Sequence, residues 1–454
     1  MPAPINKIPP EILALIPDFL DTRDRDKGVI ALTHVCRAWR EIFISRSSLW
    51  TNFSCLDEEK TQVYFERSKS SPINLSLDLS KGIPPYDPIF QIIPHATGRL
   101  KSLFVNGLPA DVEIVTSHLS HPAPLLERLS IRSDSPLAHR ATALPSALFN
   151  RDVSSLRMLR LEFVRTGLPW RNMVNLTSFT LFSIPPGAVS TGQLLDFLES
   201  APHLEEIRFY DATPTTGIQG GRLVSLACLK SMDIKRGIPC SALLDHLLIP
   251  AGAKLEIQAD LLNSSLIEEH LPRSLDNLKN FPGFTAIELH PNEYYQNMKF
   301  SGPNGQVSIA VGNDRKELMF EFLAKLDTSK TERLIINRGY RLSRESLYQA
   351  LLPMKDLRTL TLPGRSFPST PIHALEPCSS EAVVCPKLEE LVLMPHPHER
   401  MSRIIVGVTE MAAARASRGE KLRTFRIVGG LDAVDFDMSE LGKYVCNVEY
   451  GPIV

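Results

Sequence analysis

Apolar residues recur in one short spaced pattern from about residue 100 to the end of the chain. The pattern is apolar-x-x-apolar-x-apolar, and its last two apolar positions alternate with polar ones. This alternation predicts a half-buried strand, because successive side chains of a strand point to opposite faces. The clear copies begin at Leu100, Leu126, Leu156, Leu176, Leu204, Leu229, Phe284, Leu357, Leu388 and Leu422.

Weaker copies lie near Lys254, Thr331 and Val445, and stretches with helical spacing separate many of the copies. Helices are predicted at 191–200, 241–248, 343–352 and 401–418. The copies follow one another at roughly 20 to 35 residues, and this strand, connection and helix unit resembles the leucine-rich repeat. The resemblance implies an irregular α/β repeat solenoid over 100–454, since repeat lengths vary and the fixed Asn or Cys of the standard repeat is mostly absent.

Three segments interrupt this pattern or lie outside it. Around 297–314 the motif fades, and its Ser-Gly-Pro-Asn-Gly-Gln run indicates a turn between strands. Residues 54–99 are expected to form a linker or N-terminal cap, in which 71–79 could add a capping strand. The loop 363–386 is expected to be either a tolerated surface insertion or a recognition loop.

Strands of this kind expose the residues between their inward apolar positions, and stacked repeats would place those residues on one concave face. Arg mixed with Phe and Tyr is typical of protein-binding hot spots. A merely solvated face is the alternative for any single position. The predicted target-binding residues are Arg128, Arg132, Arg160, Glu162, Phe182, Arg208, Tyr210, Asp233 and Lys235.

The first fifty residues follow a different, helical pattern. Pro9 and Pro10 suit a first helical turn, and Pro17 is expected to kink or shorten that helix. A charged turn at 21–26 precedes a helix from about Lys27 and another over 37–45. The apolar positions of these helices are Ile12, Leu13, Ile16, Phe19, Leu20, Ile30, Leu32, Val35, Trp39, Ile42 and Phe43.

This segment resembles the F-box through Ile8-Pro9-Pro10-Glu11-Ile12, then Val35-Cys36-Arg37-Ala38-Trp39-Arg40, then Leu49-Trp50. It departs from that family in its opening Ile8 and in its longer, more charged first turn. The resemblance implies docking onto a Skp-type adaptor of a cullin–RING ubiquitin ligase. Trp39 and Trp50 are expected to fill the core of the module. A helix-in-groove contact needs an exposed apolar stripe, for which the candidates are Ile8, Pro9, Ile12, Leu13, Ile16, Leu32 and Val35.

Composition and charge narrow the function classes. The chain has 454 residues, of which 43% are hydrophobic and 22% charged, so a folded core is expected. Its 50 Lys and Arg nearly balance 51 Asp and Glu without a basic domain, which argues against nucleic acid. The sequence shows no secretory signal and no apolar run long enough for a membrane helix. Cytoplasm or nucleus is therefore the expected location.

Candidate chemistry is sparse. The cysteines are odd in number and contain no CxxC pair, which favours reduced thiols: Cys36, Cys55, Cys228, Cys240, Cys378, Cys385 and Cys446. His396, His398, Cys378 and Cys385 lack zinc spacing, and the glycines at 217–221 do not form a phosphate loop. His34 beside Cys36 could suggest a thiol nucleophile, but both are expected to be buried within the helical module. We expect no metal, no cofactor and no enzymatic activity.

The sequence therefore predicts an adaptor with three parts: an F-box-like three-helix module at 1–53, a linker or cap at 54–99, and the repeat solenoid at 100–454. In this hypothesis the module docks the adaptor and the array binds a target protein. The N-terminal segment resembles F-box-like proteins of filamentous fungi, a group whose targets are mostly unassigned. The alternative is a ligase-independent scaffold in which the module caps the array. A cap would hide the stripe at Pro9, Ile12 and Leu13, whereas a docking module would leave it open.

Overall fold

In a computed structural model, the chain forms two compact units, Met1–Leu204 and Glu205–Val454. The residues that the structure describes are 8–13, 15–20, 25–54, 58–80, 89–134, 142–165, 173–185, 188–212, 221–237, 240–259, 267–291, 294–312, 316–337, 343–363, 372–376, 383–395, 401–428 and 438–451.

The first unit contains α-helices and strands in alternation. Its helices are α1 (Pro10–Leu13), α2 (Arg25–Thr33), α3 (Arg37–Ser45), α4 (Glu58–Ser68), α5 (Ile89–Ala96), α6 (Pro109–Ser117) and α7 (Thr191–Glu199). Its strands are β1 (Asn52–Ser54), β2 (Ile73–Leu79), β3 (Leu100–Gly107), β4 (Arg128–Ser133), β5 (Thr142–Ala143), β6 (Met158–Glu162), β7 (Val164–Arg165) and β8 (Ser178–Phe182). Short 3₁₀ helices lie at Ile16–Phe19, Ser47–Trp50, Thr97–Arg99 and Leu148–Arg151.

The main sheet of this unit is parallel, with its strands in the order β1, β2, β3, β4, β6, β8. Strand β2 shows why these sequences form strands: Ile73, Leu75, Leu77 and Leu79 are buried, whereas the residues between them are not. Such alternation buries one face of the sheet and leaves the other polar. A separate two-stranded parallel sheet joins β5 and β7.

The second unit contains the helices α8 (Ser241–Leu244), α9 (Lys316–Lys325), α10 (Arg344–Leu351) and α11 (Met401–Ala416), and 3₁₀ helices at Ile267–His270, Leu275–Asn277, Ile372–Leu375 and Leu441–Lys443. Its strands are β9 (Glu206–Tyr210), β10 (Val224–Ser225), β11 (Ser231–Gly237), β12 (Leu247–Leu248), β13 (Lys254–Ala259), β14 (Ala286–Pro291), β15 (Tyr295–Gly302), β16 (Gly305–Gly312), β17 (Arg333–Ile336), β18 (Thr359–Pro363), β19 (Glu390–Met394), β20 (Leu422–Val428) and β21 (Val445–Gly451).

The main sheet of the second unit runs β9, β11, β13, β16, β15, β14, β17, β18, β19, β20, β21. Neighbouring strands are parallel except at β15, which is antiparallel to both β14 and β16. After β13 the chain first forms β14, which lies three positions further along the sheet. It then returns through β15 to β16, and β16 pairs with β13. Gly305, with φ of +126°, closes the turn between β15 and β16, a conformation that glycine adopts without a Cβ clash. Strands β10 and β12 form a small separate sheet.

One local turn recurs before many of the strands. The backbone N–H of the first apolar residue of the motif donates to the carbonyl three residues earlier, and that apolar side chain is buried. Leu126, Leu156, Leu176, Leu204, Leu229 and Leu388 all show this turn. The next residue then donates to the preceding strand segment, as Glu127 does to the Lys101 carbonyl and Arg157 to the Glu127 carbonyl. The first apolar position thus closes a turn, and the last two enter the sheet.

The predicted strands are confirmed at every motif copy, including the weak ones near Lys254, Thr331 and Val445. The run at 301–306 is confirmed as a turn, but the expected break around 297–314 is occupied by β15 and β16. The suggested capping strand at 71–79 is β2, and the expected linker at 54–99 also contains α4 and α5.

Three of the four predicted helices are confirmed, and the fourth is confirmed in its first half. Those at 191–200, 343–352 and 401–418 correspond to α7, α10 and α11. Helix α7 begins at a capping box between Ser190 and Gln193, which satisfies N-terminal backbone donors. The helix expected over 241–248 was wrong in its second half: it ends at Leu244, and Leu247–Leu248 pairs as β12. Two adjacent leucines fit either element, and tertiary pairing decides between them.

Candidate functional site

The N-terminal segment carries an exposed set of apolar side chains. Ile12 and Val35 are each 53% exposed, Leu15 is 47% exposed and Phe19 is 87% exposed. Ile8 and Pro9 are exposed as well. Large apolar side chains that remain open to water within one short segment are typical of an interaction surface rather than a core. We refer to Ile8, Ile12, Leu15, Phe19 and Val35 as the apolar stripe.

The structure places the other predicted docking residues differently. Leu13 is only 4% exposed, so it belongs to the core of the segment and not to the stripe. Ile16 and Leu32 are half-buried. The first helix is short because α1 ends at Leu13 and a 3₁₀ helix with Pro17 in its first turn follows. This change of helix type alters which positions face water, which simple helical spacing does not reveal.

Trp39 and Trp50 are both buried, in the positions predicted for a core. Trp39 packs edge-on against Phe43 with ring centroids 5.6 Å apart. Trp50 is fully buried, and its Nε1–H donates to the backbone oxygen of Phe43 at 2.9 Å. Helix α3 is thereby joined to the 3₁₀ helix at Ser47–Trp50 by both packing and a buried hydrogen bond.

The end of this segment is continuous with the sheet of the first unit. Trp50 packs edge-on against Tyr64 of α4 with centroids 5.0 Å apart, and the guanidinium of Arg67 lies 4.4 Å from the Trp50 ring. Strand β1 pairs with β2 through Asn52, Phe53 and Ser54. The N-terminal helices are therefore anchored to α4 and β2 at one end, whereas the apolar stripe stays exposed.

The segment that contains this anchored core and open stripe also matches one family model. Residues 5–56 match the family model described as F-box-like. The match confirms the resemblance seen in the sequence and extends through β1. No curated protein is similar enough to the chain to count as a match. Among the described residues, no helix is both long and apolar enough to cross a membrane.

On the sheet of the first unit, the predicted target-binding residues lie at outward strand positions. Arg132 pairs with Asp134 at 2.9 Å and with Glu162 on the neighbouring strand at 3.8 Å. Arg160 also pairs with Glu162, whose side chain is only 6% exposed. Glu162 therefore serves as a buried counter-ion for two arginines rather than as a freely exposed contact. Phe182 is half-buried, with its ring 5.6 Å from that of Phe163.

On the sheet of the second unit, Tyr210, Asp233 and Lys235 form one polar cluster. The Tyr210 hydroxyl donates to Asp233 at 3.0 Å, and Lys235 Nζ lies 3.0 Å from the same carboxylate. Partial burial and then the charge of Asp233 raise the pKa of Tyr210. Burial alone would lower the pKa of Lys235, but its hydrogen bond to Asp233 and the charges of Asp233 and Glu256 raise it. Lys235 is thus held as a cation.

Two predicted residues remain. Arg208 pairs with Glu206 on its own strand at 3.3 Å, and Arg128 is exposed on β4 of the first unit. The predicted residues thus fall into two groups, one on each unit. Their role in target binding stays a prediction.

The residues considered for other chemistry do not come together. His396, His398 and Cys378 lie outside the described residues. Cys385 is buried, and burial raises its pKa to about 12, which keeps the thiol protonated. No group of three or more metal-ligating side chains occurs in the described part of the chain. The expected burial of His34 and Cys36 was wrong: His34 is exposed and Cys36 is half-buried, because both lie in the turn between α2 and α3.

Sequence reasoning missed four exposed apolar residues. Leu15 and Phe19 were absent from the predicted docking set, although Ile8, Ile12, Leu15 and Phe19 follow one another at helical spacing. Phe104 and Met158 occupy outward positions of β3 and β6, where 37% and 45% of each residue is exposed. Phe104 and Met158 could have been recognised in the sequence, because each is an apolar residue at a position where the strand motif is polar.

Proposed function

We propose that the chain is a substrate-recognition adaptor of a cullin–RING ubiquitin ligase. The F-box-like segment docks a Skp-type adaptor through the apolar stripe, and the strand faces bind a target protein. The observation that carries this proposal is the open apolar stripe within the residues that match the F-box-like family. A helix-in-groove contact buries such a stripe, and its burial supplies the binding free energy.

In this role the protein supplies no catalytic group. It raises the effective concentration of target lysines near a ubiquitin carrier, which is a gain from proximity alone. We further propose that the region from β3 onward is an irregular leucine-rich-repeat-like array. The recurring turn before the strands and the donation of each following N–H to the preceding strand segment support this interpretation.

A second function is favoured by a separate observation. Because β1 pairs with β2 and Trp50 packs on Tyr64, the N-terminal segment also covers one edge of the sheet. Repeat arrays need such capping, so a ligase-independent scaffold remains the second candidate. The two candidates differ in whether the exposed stripe has a ligand of its own.

Co-purification with a Skp-type adaptor tests the proposal. Deletion of the whole segment is a poor test, since it removes Trp50 and β1 and damages the sheet. The sharper variant is the double change Ile12→Asp and Val35→Asp in the full chain, with Val406→Asp on α11 as control, because Val406 is equally exposed at 56%. Capture by the wild type and by the control, but not by the double variant, is the expected result. Failure of the wild type to capture adaptor would favour the scaffold.

A further inference from the structure

Outward positions on four strands of the first unit carry an excess of positive charge. These positions form a grid because the strands are in register, as in the row Ser102, Arg128, Met158, Ser178. The grid contains three arginines and a single carboxylate, Glu162. Its members are Ser102, Phe104, Asn106, Arg128, Ser130, Arg132, Met158, Arg160, Glu162, Ser178, Thr180 and Phe182.

Two of the three arginines are neutralised within the protein. Arg132 and Arg160 share Glu162, and Arg132 also pairs with Asp134. Arg128 is exposed and has no hydrogen bond or ion pair to any other described residue. Its guanidinium can therefore present donors to a ligand without first breaking an internal ion pair, so binding there costs little.

Apolar side chains flank this arginine. Met158 on β6 is the direct pairing partner of Arg128. Phe104 on β3 is a diagonal neighbour of Arg128, because Phe104 pairs with Ser130, two residues further along β4. Both are substantially exposed. A diagonal pair on neighbouring strands lies within reach of long side chains. An aromatic ring, a methionine and an arginine within one small patch are the residue types that dominate protein-binding hot spots.

Three strands of the second unit lack this excess. On β9, β11 and β13 the outward residues include the cations Arg208, Lys235 and Lys254 and the carboxylates Glu206, Asp233 and Glu256. Each of these cations pairs with at least one of the carboxylates. The cations on these three strands are thus matched by carboxylates, whereas Arg128 on β4 is not.

We propose that the patch formed by Phe104, Arg128 and Met158 binds a target segment in which a carboxylate side chain adjoins an apolar one. The carboxylate would pair with the Arg128 guanidinium, and the apolar side chain would pack between Phe104 and Met158. This inference rests on the proposed target-binding role and names the chemistry of the target.

The test uses three short fluorescent peptides, in which Leu alternates with Glu, with Gln or with Lys. Their binding to the full chain is measured by fluorescence anisotropy. A further peptide alternates Glu with Gly and so lacks the apolar side chains. We expect the Glu–Leu peptide to bind best, and we expect Arg128→Glu to weaken that binding about tenfold or more, the loss of a charge-assisted contact. Arg128→Gln, which keeps a polar side chain, should weaken it in the same direction.

Arg344→Glu on α10 is the control, because it makes the same charge change at an exposed helix position. Equal binding of the Glu and Lys peptides, no binding of any peptide, or an equal loss in the control would overturn the inference. Adaptor capture is measured on the same preparations. Capture without peptide binding would sink this inference alone, whereas peptide binding without capture would sink the ligase role and leave the patch standing.

Discussion

Trp50 is expected to hold the F-box-like segment and the first sheet together as one cooperative unit. Its side chain is fully buried, donates a hydrogen bond to the Phe43 carbonyl, and contacts Tyr64 and Arg67 of α4. Replacing a buried Trp by Ala costs roughly 3–5 kcal/mol through lost burial and the cavity left behind. Trp50→Phe keeps a ring but leaves the carbonyl without its donor, at a cost of about 1–2 kcal/mol.

The assay is native-state hydrogen exchange of the full chain over a urea series, which reports the free energy of opening for amides in α3, α4 and β2. Trp50→Ala should lower that free energy by about 4 kcal/mol in all three elements together. Trp39→Phe is the matched control. The Trp39 Nε1 has no hydrogen-bond partner among the described residues, so its removal should cost less than Trp50→Phe does.

Two results would refute this reasoning. A loss smaller than about 1 kcal/mol for Trp50→Ala would mean that the indole is not part of a packed core. A loss confined to α3, with β2 unchanged, would mean that the segment folds independently of the sheet. Either result would remove the basis for describing the segment as anchored.

Three further changes test the second unit. Arg415→Met should destabilise it by about 2–4 kcal/mol in urea denaturation, because the buried guanidinium donates to the Val384 and Cys385 carbonyls at 2.8 Å each. Burial lowers the pKa of His270 from 6.5 to about 4. The stability present above pH 6.5 should therefore fall by about 3 kcal/mol as the pH drops toward 4. His270→Gln should make the free energy of unfolding less dependent on pH in this range. Gly302→Ala should lower the thermal midpoint, because its Cβ would lie 2.8 Å from a backbone Cα just before β14.

Each of these has a contradicting outcome. Arg415→Met within about 0.5 kcal/mol of the wild type would show that the two carbonyls are otherwise satisfied. If the dependence of stability on pH is the same with and without His270, the pKa of this imidazole is not lowered in the folded state. An unchanged thermal midpoint for the Gly302 variant would show that the hairpin accommodates a methyl group by shifting.

Sequence patterning located the strands well because each motif carries its own alternation and many motifs also encode the turn before the strand. Leu126, for instance, closes a turn and is followed by the outward and inward positions of β4. The order of β14, β15 and β16 could not be read in this way. Their relative positions depend on pairing between β13 and β16, which are far apart in the sequence, and an alternating pattern specifies a strand but not its neighbour.

The candidate surfaces were predictable in part. Outward residues such as Arg128 and Arg160 followed from strand parity. The burial of Glu162 did not, since it results from two arginines on different strands converging on one carboxylate. Leu13 was misplaced because Ile12 and Leu13 are adjacent apolar residues of α1, and spacing alone does not show which of the two faces the core. Contacts that depend on tertiary convergence leave no signal in local spacing.

Hydrogen exchange of the full chain, alone and with a Skp-type adaptor, shows directly whether the adaptor docks on the N-terminal segment. The adaptor is expected to slow exchange around the apolar stripe, at 8–13, 15–20 and the end of α2. Exchange in β1 and β2 is expected to stay unchanged, because these strands are already paired with each other. Unchanged exchange throughout 8–35 in the presence of saturating adaptor would contradict the docking role and leave the segment as a cap of the sheet.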